Sequence, residues 1–166
     1  MMSANIVWCR IDERLLHGQV KITWMPASGA NTCIVCNDDV AEGPTAEFSQ
    51  AAMRASAGGE FKTSFYSVDK LCTIIGKAKP EQKIFIVCSN PTDVARLIEG
   101  GVPIKAVNVG NMHFHEGKRQ ITKTVSVDAK DITAFERIAA CNVLSTIQNT
   151  PDQDPVEVLT LATASA

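Results

Sequence analysis

The stretch Lys83-Ile84-Phe85-Ile86-Val87-Cys88 is apolar at nearly every position and has the length of one strand. A strand that alternates apolar and polar residues buries one face only, whereas an unbroken apolar run is typical of a strand buried on both faces. Parallel strands of this kind occur in sheets that carry helices on both sides. The stretch therefore predicts an α/β protein.

Strand and helix patterns alternate along the chain on either side of this stretch. Strands are predicted at residues 5–11, 31–37, 61–66, 83–88, 104–109, 119–127 and 143–148, and helices at 18–27, 44–57, 67–77, 91–99 and 128–140. One or two further helical turns are predicted in the tail after Pro151. This alternation indicates an open, mostly parallel sheet of about seven strands with helices on both faces, in a single domain spanning residues 1–166.

The composition is that of an ordinary globular protein. The chain has 166 residues, of which 45% are hydrophobic and 20% charged, and its formal net charge is -2. A near-neutral charge argues against a strong nucleic-acid binder, because affinity for the phosphate backbone needs clustered Lys and Arg. The start of the chain shows no signal peptide, and most of its six cysteines lie in apolar runs, so we expect a reduced, cytoplasmic protein.

No stretch of the sequence reaches the roughly 18–20 apolar residues that a membrane-spanning helix needs. Any contact with a membrane is therefore expected through a partner protein.

Ligands of open α/β sheets bind beyond the carboxyl ends of the strands. That rule directs attention to the residues after each predicted strand, namely 12–17, 37–39, 67, 89–90 and 110–115.

Four residues at and after the end of the first strand carry the chemistry expected of an anion site. Arg10, Asp12, Arg14 and His17 span the end of a strand, a tight loop and a helix start. The amino end of a helix favours an anion, and the arginine fork binds phosphate oxygens in pairs. Imidazole, with an ordinary pKa of about 6.5, is a nucleophile that is largely neutral at cellular pH. An imidazole beside two arginines and a helix start suits phosphoryl transfer, which depends on positioning the reacting groups and neutralising the charge of the transferred phosphoryl group.

Other interpretations of the same four residues stay open at this stage. Asp12 either holds one ring nitrogen of His17 or orients Arg10 or Arg14. A surface histidine beside a solvated ion-pair cluster explains the residues as well, and so does a non-covalent anion- or nucleotide-binding module. The nucleotide version lacks a G-x-x-x-x-G-K-[ST] or G-x-G-x-x-G loop in the sequence, which argues against it.

Polar residues after other strands have two readings each. Asn111 either donates hydrogen bonds to a phosphate or takes the left-handed conformation in a turn after Gly110. His113 and His115 belong to a solvated loop or border the His17 site. Asp38 and Asp39 serve a plain turn or act on the arginines and the anion; these residues follow the second predicted strand.

Two further features favour a structural interpretation. Trp24 lies two helical turns after His17, where core packing is expected more often than a docking patch. Cys33 and Cys36 form a C-x-x-C within a predicted strand. Positions three apart in a strand point to opposite faces, so redox chemistry is not expected.

The segment Arg10-Ile11-Asp12-Glu13-Arg14-Leu15-Leu16-His17-Gly18-Gln19-Val20, together with Trp24, resembles the active-site signature of one family. This family is the IIB components of the mannose/fructose/sorbose/N-acetylgalactosamine class of the bacterial phosphoenolpyruvate-dependent sugar phosphotransferase system. Residues 37–41, 108–112, 117–118 and 125–128, followed by 131, 132 and 135, are similar to other blocks of that family. The resemblance covers roughly residues 5–148.

The resemblance implies a phosphocarrier. His17 would accept phosphate from a phosphorylated IIA protein and donate it to a sugar entering through the membrane components IIC and IID. Arg10 and Arg14 match the phosphate-binding arginines of the family, and Asp12 matches its neighbouring acid. No metal or organic cofactor is implied, and some members dimerise. The stretch from Gly110 to Phe114 is most similar to members that handle N-acetylgalactosamine or galactosamine.

Overall fold

The computed structural model describes residues 3–164, which form one large sheet, a small second sheet and the helices around them. The strands are β1 (Ile6–Asp12), β2 (Thr32–Cys36), β3 (Lys62–Tyr66), β4 (Ile84–Cys88), β5 (Ala106–Asn111), β6 (Arg119–Gln120), β7 (Ser126–Val127), β8 (Leu144–Ile147) and β9 (Val156–Glu157). The helices are α1 (18–28, π-helical over Val20–Trp24 and α-helical over Met25–Ser28), α2 (Asp38–Glu42), α3 (Ala46–Ala57), α4 (Val68–Ile74, continued by a 3₁₀ turn over Ile75–Lys77), α5 (Pro91–Glu99), α6 (Ala129–Ala140) and α7 (Val158–Ala164).

The large sheet has seven strands in the order β3-β2-β4-β1-β5-β8-β9. Every neighbouring pair is parallel except β8 with β9, which is antiparallel. The predicted α/β fold with an open, mostly parallel sheet of about seven strands is therefore confirmed. Residues 1, 2, 165 and 166, which the single-domain prediction also includes, lie outside the described residues.

Consecutive residues of β4 enter two different cores, as the apolar run 83–88 predicts. Ile84 and Ile86 belong to the core under α4, α5, α6 and α7, whereas Phe85 and Val87 belong to the core under α1 and α3. Cys33 and Cys36 also divide between the two cores, so the C-x-x-C lies across the strand as expected. Within residues 3–164, no helix has the length and hydrophobicity to cross a membrane.

The predicted strand over residues 119–127 is wrong. The structure has two short antiparallel strands there, β6 and β7, in a sheet of their own. The chain turns between them because the Thr122 hydroxyl accepts hydrogen bonds from the backbone N–H groups of Thr124 and Val125. The seventh strand of the large sheet is instead β9, whose two residues give no sequence signal.

The residues that follow the second predicted strand form a short helix, α2, which was not among the predicted helices. Asn37 caps it, because the Asn37 side chain accepts a hydrogen bond from the Val40 N–H at 3.0 Å. Ser67 caps α4 in the same way, because its hydroxyl accepts a hydrogen bond from the Lys70 N–H at 3.2 Å.

The topology places one loop at the centre of the sheet edge. β1 lies between β4 and β5, and its following helix α1 packs on the opposite face from α5, which follows β4. Such a switch point opens a crevice at the carboxyl ends of the strands. Leu15, in the loop between β1 and α1, has a positive φ of 59°, so the loop makes a sharp turn there. The crevice is where residues 12–17 lie.

Removing the cap of α6 should destabilise the fold by about 1 kcal/mol. The Asp128 side chain accepts from the Asp131 N–H at 2.9 Å, and the Asp131 side chain accepts from the Asp128 N–H at 3.1 Å. Asp128→Ala should therefore lower the urea midpoint without changing the slope of the transition. Thr45→Ala is the matched control, because Thr45 stands at the same position of α3 and makes no side-chain cap bond. An equal loss of stability in both variants would contradict the assignment of Asp128 as the cap of α6.

Candidate active site

A buried carboxylate lies at the centre of the site. Asp12 is the last residue of β1 and is fully buried. Its Oδ1 accepts hydrogen bonds from the backbone N of Arg14 at 3.0 Å and from Arg14 Nε at 3.1 Å. Its Oδ2 accepts from Arg14 Nη2 at 3.2 Å and lies 3.1 Å from His17 Nε2. Asp12 thus holds the histidine and an arginine together, so the two alternatives left open by the sequence both occur.

Asp12 is ionised in this environment. Burial alone would raise the pKa of its carboxyl, but the hydrogen bonds from His17 and Arg14 outweigh burial and hold the pKa below its ordinary value. An ionised carboxylate only accepts hydrogen bonds, so the Nε2 atom of His17 carries the proton that lies between them. In the neutral form of the ring, the lone pair is then on Nδ1.

The second ring nitrogen of His17 faces the start of α1. The backbone N–H of Gln19 points at His17 Nδ1 across 3.3 Å, a long contact for a hydrogen bond. The His17 side chain is 19% exposed and the Arg14 side chain 41% exposed. Both therefore reach the surface of the crevice, and Nδ1 is the nitrogen that Asp12 leaves unoccupied.

Arg10 lies behind Asp12 and is 0% exposed. Its Nη1 donates to the side-chain oxygen of Asn108 at 2.5 Å and to the backbone carbonyl of Gln148 at 3.1 Å. The indole of Trp24 covers the guanidinium, with 4.8 Å between the ring centroid and Cζ. Burial lowers the pKa of Arg10 to about 10, against the opposing effect of Asp12, so the group stays protonated at neutral pH.

A glycine makes room for this buried guanidinium. A Cβ atom on Gly110 would lie 1.9 Å from Arg10 Nη2, far inside any tolerated contact. The backbone of Gly110 does not have a positive φ, so space rather than conformational freedom demands glycine here. The neighbouring Asn111 also lacks a positive φ, so the alternative that placed Asn111 in a left-handed turn is wrong. The backbone carbonyl of Asn111, in β5, accepts a hydrogen bond from the Glu13 N–H at 3.0 Å.

The loop after β5 borders the site through Glu13. His113 Nδ1 lies 2.9 Å from one Glu13 oxygen, and His115 Nε2 lies 3.5 Å from the other.

Asp38 does not bond to the arginines of the site. It accepts a hydrogen bond from the Val68 N–H and pairs with Arg96. Within residues 3–164, no three His, Cys, Asp or Glu side chains are grouped so as to hold a metal ion.

Several residues of the site were not expected from the sequence. Gln19 accepts from Arg14 Nη2 at 3.1 Å and donates to the backbone carbonyl of Asn149, also at 3.1 Å. Trp24 Nε1 donates to the same carbonyl, so Trp24 is a core residue, as expected, but also part of the site. Asn108 is a buried polar residue within an apolar strand, and that pattern could have identified it. Backbone carbonyls leave no signal in a sequence.

The assembled charges favour an anion at the mouth of the crevice. Two arginines and one ionised aspartate leave a surplus of positive charge beside the imidazole of His17. The backbone N–H groups at the start of α1 add to the positive potential. A nucleophilic nitrogen in such surroundings suits the acceptance of a phosphoryl group.

Comparison with known proteins agrees with this chemistry. The chain matches the family described as PTS system sorbose subfamily IIB component over residues 6–165. It is 43% identical to an N-acetylgalactosamine-specific phosphotransferase enzyme IIB component 2 of Escherichia coli K12, over 95% of this chain and 98% of the relative.

Two further relatives extend the comparison. A crystal structure of the N-acetylgalactosamine-specific IIB component 1 from Escherichia coli superimposes with a TM-score of 0.85 at 42% identity, covering 93% of this chain and 99% of that one. The mannose-specific EIIAB component of Escherichia coli K12 is 39% identical over 79% of this chain, which spans 40% of that longer protein. The chain belongs to the sorbose-subfamily IIB components of the sugar phosphotransferase system, within the mannose class predicted from residues 10–20.

Proposed function

We propose that His17 carries the phosphoryl group of this IIB component on Nδ1. The observation that supports this choice is the hydrogen bond between His17 Nε2 and the ionised Asp12, 3.1 Å long. Nδ1 attacks the phosphorus of a phosphorylated donor, the bond from phosphorus to the donor breaks, and the Nε2 proton stays in its bond to Asp12. In the second step a sugar hydroxyl attacks the same phosphorus, the P–Nδ1 bond breaks and the hydroxyl proton goes to solvent.

Arg14 is the residue that we assign to the phosphoryl oxygens. Its guanidinium stands beside His17 and is 41% exposed, with Nη1 free of hydrogen bonds to the described residues. The backbone N–H of Gln19 faces Nδ1 and offers a second donor at the start of a helix. Together they neutralise charge on the transferred group. Asn111, which ends β5, is proposed as a supporting side chain at the same edge.

Arg10 acts through Asp12. The resemblance implies a direct phosphate contact, but the side chain of Arg10 has no exposed surface and is separated from the crevice by Asp12. A buried cation 3.5 Å from a buried carboxylate favours its ionised form, in addition to the hydrogen bonds from His17 and Arg14 that lower the pKa of Asp12. The ionised carboxylate in turn keeps the proton on Nε2 and the lone pair on Nδ1.

The donor that we propose is a phosphorylated IIA protein, and the recipients are a sugar and its membrane components IIC and IID. The EIIAB relative supports the donor, because its name places IIA and IIB on one chain. Attachment to the inner face of the cell membrane would then come from IIC and IID. Dimerisation stays a prediction from the family resemblance.

The sugar that we propose is N-acetylgalactosamine or galactosamine. The N-acetylgalactosamine-specific relatives at 42% and 43% identity support this choice. Incubated with phosphorylated IIA and membranes that carry the components of each system, this protein should phosphorylate N-acetylgalactosamine faster than mannose or sorbose. Radiolabelled sugar phosphate is the measurement, with His17→Ala as the blank. Faster transfer to mannose or sorbose would contradict the proposed sugar but not the proposed phosphocarrier role of His17.

Phosphorylation should occur on His17 and at Nδ1. After incubation with phosphorylated IIA, 31P spectra and long-range 1H–15N correlations should show one acid-labile phosphohistidine with phosphorus on Nδ1. His17→Ala should abolish it, and His115→Ala, which changes an exposed loop histidine, should retain it. Phosphate on Nε2 would contradict the proposal that Nε2 carries the proton and Nδ1 the reactive lone pair. Retained nucleotide binding with no phosphohistidine would favour the non-covalent alternative.

Loss of the Arg14 side chain should slow transfer while leaving the fold intact. Arg14→Ala removes a charged donor from the transition state, which costs about 2–4 kcal/mol, or roughly 30- to 1,000-fold in rate. The matched control is Arg137→Ala, because the Arg137 side chain is similarly exposed at 38% and pairs with Glu99. Single-turnover transfer from phosphorylated IIA measures the rate. Equal rates in the two variants would make Arg14 a structural residue.

A further inference from the structure

The side chain of Arg10 is buried with part of its hydrogen-bonding capacity unused. Its Nε and Nη2 atoms make no hydrogen bond, although both are shielded from solvent. Nη2 lies 3.5 Å from Asp12 Oδ2, within the range of an ion pair but beyond a normal hydrogen bond. Buried donors are nearly always paired, because an unpaired donor loses its hydration without compensation. This exception therefore needs an explanation.

The acceptor that Arg10 faces is already filled. A carboxylate offers about four lone-pair positions. Asp12 uses four: Oδ1 takes the backbone N and the Nε of Arg14, and Oδ2 takes Arg14 Nη2 and His17 Nε2. Arg10 and Arg14 thus compete for the same oxygen, and in this state Arg14 holds it.

A phosphoryl group on His17 changes that competition. It carries roughly -1.5 to -2 charges near pH 7. Arginine binds phosphate most strongly through two parallel hydrogen bonds, a bidentate arrangement. For Arg14 to bind through its two terminal nitrogens, Nη2 must leave Asp12 Oδ2. The oxygen then loses one donor, and Arg10 Nη2 needs to move only about half an ångström to replace it.

We propose that Asp12 exchanges its arginine partner when His17 is phosphorylated, with Arg14 moving to the phosphoryl group and Arg10 bonding to Asp12 in its place. This proposal rests on the proposed function. Arg10 is a positioning residue, because it acts on His17 only through Asp12. The exchange preserves the bond from Nε2 to Asp12 in both states, so the ring stays oriented for accepting and for donating phosphate.

The surroundings of Arg10 permit a short movement and prevent a long one. Asn108 and Gln148 hold Nη1, which fixes one side of the guanidinium. Trp24 lies over the group and Gly110 leaves the space beneath it. Small rotations about Nη1 remain available, and they carry Nη2 towards or away from Asp12.

The exchange can be followed through the guanidinium 15N and 1H resonances of Arg10 in labelled protein. Phosphoramidate serves as the chemical donor, transferring its phosphoryl group to the imidazole with release of ammonia. On phosphorylation, the Arg10 guanidinium hydrogens should shift downfield as a new bond to Asp12 forms. Unphosphorylated Arg14→Ala should show a shift in the same direction, because its Asp12 has lost the competing side chain. Arg137→Ala should show no shift.

Each outcome decides one of the two proposals. An unchanged Arg10 signal in protein with phosphate on His17, or in unphosphorylated Arg14→Ala, overturns the exchange. A protein that accepts no phosphate from either IIA or phosphoramidate contradicts the proposed function and, with it, an exchange on phosphorylation; the unphosphorylated Arg14→Ala comparison then tests only whether Arg10 and Arg14 compete for Asp12. A parallel shift in the phosphorylated protein and in Arg14→Ala supports it.

Discussion

The ionised carboxylate of Asp12, buried at the end of β1, is the constraint on which the site depends. An unpaired buried carboxylate costs several kcal/mol, so the fold must bring compensating groups to it. It does so with Arg10, Arg14 and His17, at 3.5, 3.1 and 3.1 Å. The proton position on His17 follows from this arrangement, and with it the nitrogen that is free to react. In the proposed function, the reactive nitrogen of the histidine is thus set by a neighbour that does not contact the phosphoryl group.

The sheet topology explains why such a costly arrangement can persist. β1 is a central strand between β4 and β5, so the end of β1 receives side chains from several segments that are distant in sequence. Asn108 comes from β5, and the carbonyl of Gln148 follows β8, at separations of 98 and 138 residues from Arg10. Their positions are held by parallel strand pairing, which is rigid compared with a loop. Of the four charged or titratable side chains Arg10, Asp12, Arg14 and His17, only Arg14 and His17 reach solvent.

The local half of this site could be predicted from the sequence, and the distant half could not. Arg10, Asp12, Arg14 and His17 fall in one short segment, so their proximity follows from chain connectivity alone. The burial of Arg10 runs against the general rule that charged residues lie at the surface unless they are paired. Its partners are a polar residue in an apolar strand and a backbone carbonyl, and only strand register brings them together. The same limit explains the error at residues 119–127, where the chain turns within an otherwise strand-like pattern because the Thr122 hydroxyl accepts hydrogen bonds from two backbone N–H groups.

The π-helical turn in α1 connects the fold to the electrostatics of the site. Turns of this type are rare and occur often at functional positions. Here Val20–Trp24 forms the turn, and its last residue places an indole over the Arg10 guanidinium while donating to the carbonyl of Asn149. The indole excludes water from the space behind Asp12, and Coulomb interactions strengthen as water is excluded. Arg10 can therefore act on Asp12 across 3.5 Å without a hydrogen bond. Through Trp24, the first turns of the helix that follows His17 thus contribute to the reactivity of His17.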